Sequence, residues 1–239
     1  MDPDLPGPLL RRRGRDHLRR GVAIAHYPSL QATLLTVVAG IADAVGYITM
    51  GGVFAANMTG NTVLAGIAAA HGRYGDAFNH LSPLVTFFIG AMLARLILRL
   101  WQRPAVAIGL EAVLLAALDF LPVATEGKVL IVAGAMGVQA SAVTQFAGAA
   151  ISTVVVTSTL ARTADAALDA LLPGAAKTPP AKTTPRLLAL TWLGYLVGAV
   201  VGALLLKAMP YPLLVPAALL VGVIFLLRDH IGGVSPSLP

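Results

Sequence analysis

The sequence contains no cysteine and very little charge. Without cysteine, neither a disulfide nor a thiolate metal site can form. Asp, Glu, Lys and Arg together make up 12% of the 239 residues, whereas a soluble domain carries roughly 25%. Hydrophobic residues make up 57% of the chain. This imbalance excludes an ordinary soluble domain and indicates a protein that buries much of its surface in lipid.

The hydrophobic residues are gathered in long blocks rather than spread along the chain. A helix needs roughly 20 apolar residues to cross the hydrocarbon core of a bilayer. The blocks lack the in-out alternation of a lipid-facing strand, so helices are predicted rather than a barrel. Eight apolar segments are found, at residues 30–50, 53–70, 81–101, 104–121, 129–144, 149–172, 186–206 and 211–227. The predicted fold class is an all-α polytopic membrane protein.

Much of the positive charge comes from one cluster near the N-terminus. Six arginines precede the first apolar segment: Arg11, Arg12, Arg13, Arg15, Arg19 and Arg20. A basic cluster beside a membrane helix faces lipid headgroups and holds the N-terminus in the cytoplasm. We therefore expect membrane lipid, and not nucleic acid, as the partner of this cluster. No small-residue cleavage site follows the first apolar stretch, so a cleaved signal peptide is not expected.

The eight segments form two sets of four, which predicts a two-fold internal repeat with broken opening helices. Each set opens with two segments separated by only a few residues. Gly40 in the first set lies opposite Gly134 in the second, and Gly90 lies opposite Gly198. Repeats in membrane transporters often build a shared site between the halves. The chain divides into a basic N-terminal segment, two membrane repeats and a C-terminal tail, at residues 1–29, 30–121, 128–228 and 229–239.

The number of membrane crossings depends on whether each opening pair crosses once or twice. Six crossings place Arg95, Arg99 and Arg103 on the cytoplasmic side together with Lys177 and Lys182, whereas eight crossings place the three arginines outside. The positive-inside rule favours about six crossings, with eight as the alternative. Three crossings per repeat would make the two halves inverted in the membrane. Arg95 and Arg99 share a helix face, which suits snorkelling to headgroups or recognition of an anionic solute.

Residues 40–66 contain several features that are unfavourable in hydrocarbon; their sequence is GIADAVGYITMGGVFAANMTGNTVLAG. Asp43 lies inside an apolar helix, where a charged carboxylate costs about 2.5–3.5 kcal/mol, so it should face the interior or a water-filled cavity. Tyr47 is one turn away and within reach to donate a hydrogen bond to it. Glycines then break the helix, which a membrane tolerates where the break lines a cavity or is covered by protein. The candidate substrate- or ion-binding residues here are Asp43, Tyr47, Asn57, Thr59 and Asn61.

A purely structural interpretation of these residues stays open. Glycines with Asn and Thr also pack and hydrogen-bond membrane helices to one another, and Asp43 could be neutral or tied to a neighbouring helix. Glu111 is a second intramembrane acid that is open to either interpretation. Gly194, Gly198 and Gly202 share one helix face, which suits either packing within the chain or a homodimer.

The run from Gly40 to Phe54, followed by Asn-Met-Thr-Gly-Asn at 57–61, resembles the signature of the YoaK-like family of bacterial inner-membrane proteins, a family catalogued as a domain of unknown function. The likeness covers the membrane portion of the chain. It implies a roughly six-span, multi-pass protein of the bacterial inner membrane, but no established reaction. Members tend to carry a Gln-Asn pair in the second half, where this chain has Gln139 followed by Ala140. Gln139 is therefore a candidate binding residue, and a symmetric second half-site is not expected.

We expect a secondary transporter or channel-like carrier of a small solute or ion. A non-transporting membrane scaffold or sensor is the alternative. Intramembrane hydrolysis needs paired acids, a nucleophile with its base, or a metal, and no such motif is present, so an enzyme is not expected. The histidines show no metal-ligand spacing, and no Gly-Lys-Ser/Thr phosphate loop is found. We therefore expect no metal and no cofactor.

Overall fold

The computed structural model describes residues 27–142, 145–146, 149–150, 160–161, 163–164, 168 and 185–231. Seven helices can be followed from end to end in these residues. They are α1 (Tyr27–Thr49), α2 (Met58–Ala70), α3 (Tyr74–Trp101), α4 (Pro104–Phe120), α5 (Thr125–Ala142), α6 (Pro185–Ala208) and α7 (Leu214–Ile231). Two short strands, β1 (Gln145–Phe146) and β2 (Ala149–Ala150), pair antiparallel. The expected helical architecture is thus confirmed in the described residues, apart from this four-residue strand pair.

Three of these helices are long and apolar enough to cross a membrane, namely α1, α3 and α6. Helices α2 and α7 are apolar but shorter. Large side chains on α3, including Phe88 and Met92, are more than half exposed, as expected for a helix that faces lipid. Three expected features lie wholly or mostly outside the described residues: the basic segment 1–29, the apolar segment 149–172 and the tail 229–239. Lys177 and Lys182, expected on the cytoplasmic side, also lie outside them.

Two glycines just after the end of α1 adopt a backbone conformation that other residues rarely adopt. Gly51 and Gly52 have φ angles of +74° and +73°, in the left-handed region. The N–H of Gly52 donates to the carbonyl of Tyr47 at 3.1 Å, which satisfies one of the free carbonyls at the helix end. Helix α2 begins only at Met58. The second apolar segment is therefore partly non-helical, and residues 50–57, called the link below, break the opening helix pair.

Glycines bring α6 against α1. A Cβ atom on Gly198 would collide with the carbonyl oxygen of Val37, and a Cβ atom on Gly202 would lie 2.9 Å from that of Ile41. Because these contacts advance along both helices in the same direction, α1 and α6 run parallel. Together with Gly194, these glycines let the two backbones approach closely. This face is occupied within the chain, and a homodimer that used it would have to displace α1.

The same kind of crossing recurs between α3 and α5. A Cβ atom on Gly90 would collide with the carbonyl oxygen of Gly134, and a Cβ atom on Gly137 would collide with that of Phe87. In each helix pair, therefore, both helices contribute a glycine that lies against the backbone of the partner helix: Gly40 and Gly198 in one pair, and Gly90 and Gly137 in the other. Larger residues at these positions would force the helices apart.

The glycines at the two crossings make similar contacts. Gly90 on α3 and Gly198 on α6 each lie against a backbone carbonyl of the partner helix. Gly40 on α1 lies against the carbonyl of Tyr195, and Gly137 on α5 lies against that of Phe87. The two-fold repeat expected from the sequence stays a prediction.

The remaining packing places α4 and α7 beside these pairs. Helix α4 contacts α5 and α7, and α7 also contacts α1. Fully buried side chains come from several helices and include Leu35, Ile108, Leu115, Met136 and Leu220. The same buried cluster includes Met50, Val53, Ala55 and Ala56 of the link.

Candidate functional site at the helix break

Asp43 lies at the junction of three chain segments and is 3% exposed. Its Oδ1 atom accepts hydrogen bonds from the backbone N–H groups of Ala56, at 2.5 Å, and Asn57, at 3.2 Å. Its Oδ2 atom accepts a hydrogen bond from the hydroxyl of Tyr195. Helix α1, the link and helix α6 are therefore joined by one carboxylate. The expectation that Asp43 faces the protein interior is correct.

The tyrosine that contacts Asp43 is Tyr195, not Tyr47. Tyr47 is 45% exposed and stacks on Phe54, with ring centroids 4.7 Å apart. Tyr195 reaches Asp43 because the backbone of α6 touches α1 at Gly40, one turn before the carboxylate. Sequence reasoning did not single out Tyr195. In the sequence it is marked only by its position directly after Gly194, the first of the three glycines at 194, 198 and 202.

Two asparagines hold the link and the start of α2 together. Asn61 is fully buried, and its amide forms two hydrogen bonds with the backbone of Phe54: Oδ1 accepts from the N–H at 2.9 Å and Nδ2 donates to the carbonyl at 2.8 Å. Asn57 caps α2, since its Oδ1 accepts from the N–H of Gly60 at 3.0 Å. Both candidate residues thus satisfy backbone groups that the helix break leaves free.

The other two candidate residues lie apart from this cluster. Thr59 is exposed in the first turn of α2. Gln139 is fully buried on α5, and its Nε2 donates to the carbonyl oxygen of Leu35 on α1 at 3.0 Å. The structure therefore brings Asp43, Asn57 and Asn61 together around the link, while Gln139 joins α1 to α5 about two turns away along α1.

The electrostatics of the cluster favour a cationic ligand over an anionic one. The carboxylate of Asp43 lies beside the N-terminal end of α2, where free N–H groups carry partial positive charge and commonly bind anions. Here the N–H groups of Ala56 and Asn57 already donate to the side chain of Asp43, which an external anion would have to displace. Among the described residues, Asp43 makes no ion pair with Lys, Arg or His; the ion pair found there joins Arg73 and Asp76 at the surface.

A second acid is buried in a very different setting. Glu111 on α4 is fully buried, and neither of its carboxylate oxygens has a hydrogen-bond partner among the described residues. It shares its helix face with Ile108 and Leu115, which are also fully buried. Within the described part of the chain no group of three or more His, Asp or Glu side chains is placed to hold a metal ion.

These features define a helical membrane protein with a buried carboxylate at a break in its opening helix pair. The chain belongs to a family described as protein of unknown function (DUF1275), whose family model matches residues 31–227. A curated relative, the UPF0700 transmembrane protein YoaK of Bacillus subtilis (strain 168), is 37% identical over 148 residues. The match covers 57% of this chain and 66% of that relative, just under two thirds of its length. No solved structure matches the chain.

Both comparisons agree with the resemblance drawn from the signature around Asp43. The expected family is confirmed, and an integral membrane protein is confirmed with it.

Proposed function

We propose that this protein is a secondary transporter or channel-like carrier of a small solute or ion, with its working site at the broken α1–α2 pair. One observation carries the proposal: the buried carboxylate of Asp43 ties α1, the link and α6 together. A proton or cation that bound this carboxylate would weaken all three contacts at once. Ligand binding at Asp43 would thereby be coupled to movement of the link.

Two physical costs coincide at this place and support a functional role. An acid in a membrane helix is expensive to insert. Non-helical backbone at membrane depth leaves N–H and C=O groups that hydrocarbon cannot satisfy. Broken helices of this kind form the ion and substrate sites of many secondary transporters. A link held by hydrogen bonds to one titratable side chain can be released without unfolding the helices around it.

A non-transporting scaffold or sensor is the second candidate. One observation favours it: the side-chain oxygens of Asp43, Asn57 and Asn61 already accept hydrogen bonds from groups of the protein itself. The two candidates differ in one measurable property. A carrier must open the link region to water during its cycle, whereas a scaffold has no need to do so.

We also propose that the chain crosses the bacterial inner membrane six times, with both termini and the loop at Arg103 in the cytoplasm. Each repeat would then cross three times, so the two halves would be inverted. Gln102→Cys can be labelled cleanly because the chain has no native cysteine. A membrane-impermeant maleimide should label this cysteine only from the cytoplasmic side. Labelling from outside intact cells would instead support eight crossings.

Accessibility of the link tests the carrier proposal without knowledge of the substrate. Ala55 in the link and Ala107 in α4 are both fully buried, so Ala55→Cys and Ala107→Cys form a matched pair. In reconstituted liposomes, a carrier should expose Cys at 55 to a water-soluble maleimide at least tenfold faster than Cys at 107. A further Asp43→Asn change should alter the rate at 55 and leave the rate at 107 unchanged. Equal, slow labelling of both would support the scaffold.

Ion flux supplies the second arm of the test. Proteoliposomes containing a pH-sensitive dye should report proton movement under an imposed pH gradient or a potassium diffusion potential. Asp43→Asn should abolish ion-coupled flux, because the amide retains the shape of the side chain and removes its charge. Asp119→Asn is the matched control, since Asp119 is a half-buried acid that caps α7 through the N–H of Leu214 at 3.0 Å. A folded Asp43→Asn protein with unchanged ion coupling and pH dependence would refute the assignment.

A further inference from the structure

A groove of about 670 Å³ runs along the outer face of α3, and its lining residues lie outside the link. Its walls are mostly apolar and include Phe88, Met92 and Leu96, which are 64%, 58% and 51% exposed. Arg95 and Arg99 lie at one end of the α3 portion of the groove, and Ser141 near the end of α5 also lines it. The groove thus combines a long apolar wall with positive charge.

The two arginines of the groove are poised for an anionic ligand. They are one helical turn apart and therefore project from the same face of α3. Within the described part of the chain, neither guanidinium makes an ion pair, and no acidic residue lines the groove. Guanidinium groups bind phosphate oxygens in a bidentate geometry, which favours phosphate over a diffuse anionic surface.

The length of the groove matches one leaflet of a bilayer. From Phe88 to Arg99, α3 rises by roughly 16 Å, at about 1.5 Å per residue. Half of a hydrocarbon core of roughly 30 Å is about 15 Å. With Arg99 at headgroup depth, Phe88 therefore lies near the middle of the membrane. Arg95 is about 6 Å deeper than Arg99 along the helix, and its side chain can extend back toward the headgroup.

We propose that this groove is a binding site for an anionic phospholipid. Its phosphate lies against Arg95 and Arg99, and its acyl chains run along Leu96, Met92 and Phe88. The charge of the arginines selects the headgroup, and the exposed apolar side chains accept the chains. This assignment is independent of the carrier proposal, because among the described residues no residue that lines the groove takes part in the hydrogen bonds of Asp43 or in those between Asn61 and the link.

Native mass spectrometry of the purified full-length protein tests the proposal. Phosphatidylglycerol should be retained as a discrete bound lipid and should raise the thermal midpoint, whereas phosphatidylcholine should do so much less. A guanidinium in direct contact with the lipid phosphate contributes enough to change retention about fivefold. Arg95→Gln and Arg99→Gln should each lower phosphatidylglycerol retention by about that factor, and the double variant by roughly twenty-five-fold. Retention of phosphatidylcholine should be unchanged in all three variants.

Arg103→Gln is the matched control, because Arg103 is an exposed arginine four residues beyond Arg99 that does not line the groove. It should retain phosphatidylglycerol as the wild type does. An equal loss in all arginine variants would show only general attraction to headgroups and would overturn the site.

Asp165 and Asp169 of this chain are the alternative anionic groups that could pair with Arg95 and Arg99 in place of a lipid phosphate. Asp165→Asn with Asp169→Asn should leave lipid retention unchanged if the groove binds phospholipid. If this pair lowered the thermal midpoint as much as the arginine variants, and phosphatidylglycerol failed to stabilise the wild type, the groove would be covered by the chain itself and the proposal would be wrong.

Discussion

Asp43 and Glu111 are both acids buried in membrane helices, yet they differ in the hydrogen bonds that their carboxyl groups accept. Asp43 accepts three hydrogen bonds, from two backbone N–H groups of the link and from Tyr195. Glu111 accepts none from any residue that the structure describes, and its neighbours along the helix face are apolar. In the sequence the two acids look alike, since each interrupts an otherwise apolar segment.

The difference shows that burial of an acid is not by itself a sign of a structural contact. Hydrogen bonds to a buried carboxylate offset part of the cost of removing it from water, and their loss leaves the donors unsatisfied. A buried acid without such bonds contributes no contact that a hydrophobic side chain of similar size could not replace. Substitutions at the two positions should therefore change stability in opposite directions.

The largest effect is expected from Asp43→Ala. This change leaves the N–H groups of Ala56 and Asn57 and the hydroxyl of Tyr195 without their acceptor. We expect the free energy of unfolding to fall by roughly 3–5 kcal/mol. Thermal or denaturant unfolding in detergent measures the change, with Asp119→Ala, which removes backbone contacts at the start of α7, as the smaller control. A loss of less than 1 kcal/mol would mean that the carboxylate does not hold the three segments together.

Gly198→Ala should have the next largest effect, because it acts on the crossing that brings Tyr195 to Asp43. Its Cβ atom would collide with the carbonyl oxygen of Val37 and push α6 away from α1. Overpacking of this kind costs about 1–3 kcal/mol. Gly222→Ala is the control, since a Cβ atom there meets nothing within 4 Å. Comparable loss of thermal stability in both variants would contradict a close crossing at Gly198.

Tyr195→Phe should destabilise the protein by roughly 1–2 kcal/mol, because it removes one hydrogen bond and leaves Oδ2 of Asp43 without its donor. Tyr47→Phe is matched in chemistry but acts on an exposed hydroxyl, and it retains the ring that stacks on Phe54. Its effect should stay within about 0.5 kcal/mol. If the thermal midpoint fell more for Tyr47→Phe than for Tyr195→Phe, the assignment of the Asp43 donor would be reversed.

The smallest effect, and the one of opposite sign, is expected from Glu111→Leu. Replacing a buried carboxyl that has no partner among the described residues by an apolar group should leave stability unchanged or raise it by up to about 1 kcal/mol. Leu115→Ala, one turn along the same buried face, should instead cost about 2–5 kcal/mol and shows that the face is packed. A loss of 2 kcal/mol or more for Glu111→Leu would reveal a partner elsewhere in the chain and remove the contrast with Asp43.

The helical membrane class and the break after the first helix could be predicted from local properties: the length of an apolar block, the cost of an acid within it, and the freedom of Gly51 and Gly52 to adopt positive φ. The same reasoning correctly placed Asp43 in the interior. The family was predicted from the resemblance of residues 40–61 to its signature. Asn57 and Asn61 were singled out as a polar cluster, and Asn is a residue type that suits the capping of free helix ends. Which backbone groups each side chain contacts could not be predicted from their spacing.

Which side chains meet could be established only from the folded chain. Tyr195 is 152 residues from Asp43 in the chain, whereas local spacing favours Tyr47, one turn away, as the donor. The contact of Gly40 with Tyr195 likewise depends on where α1 and α6 cross. The physical reason is that insertion into lipid depends on the composition of each segment by itself. Contacts between helices depend instead on where two backbones approach each other, and the hydropathy of a segment does not specify that place.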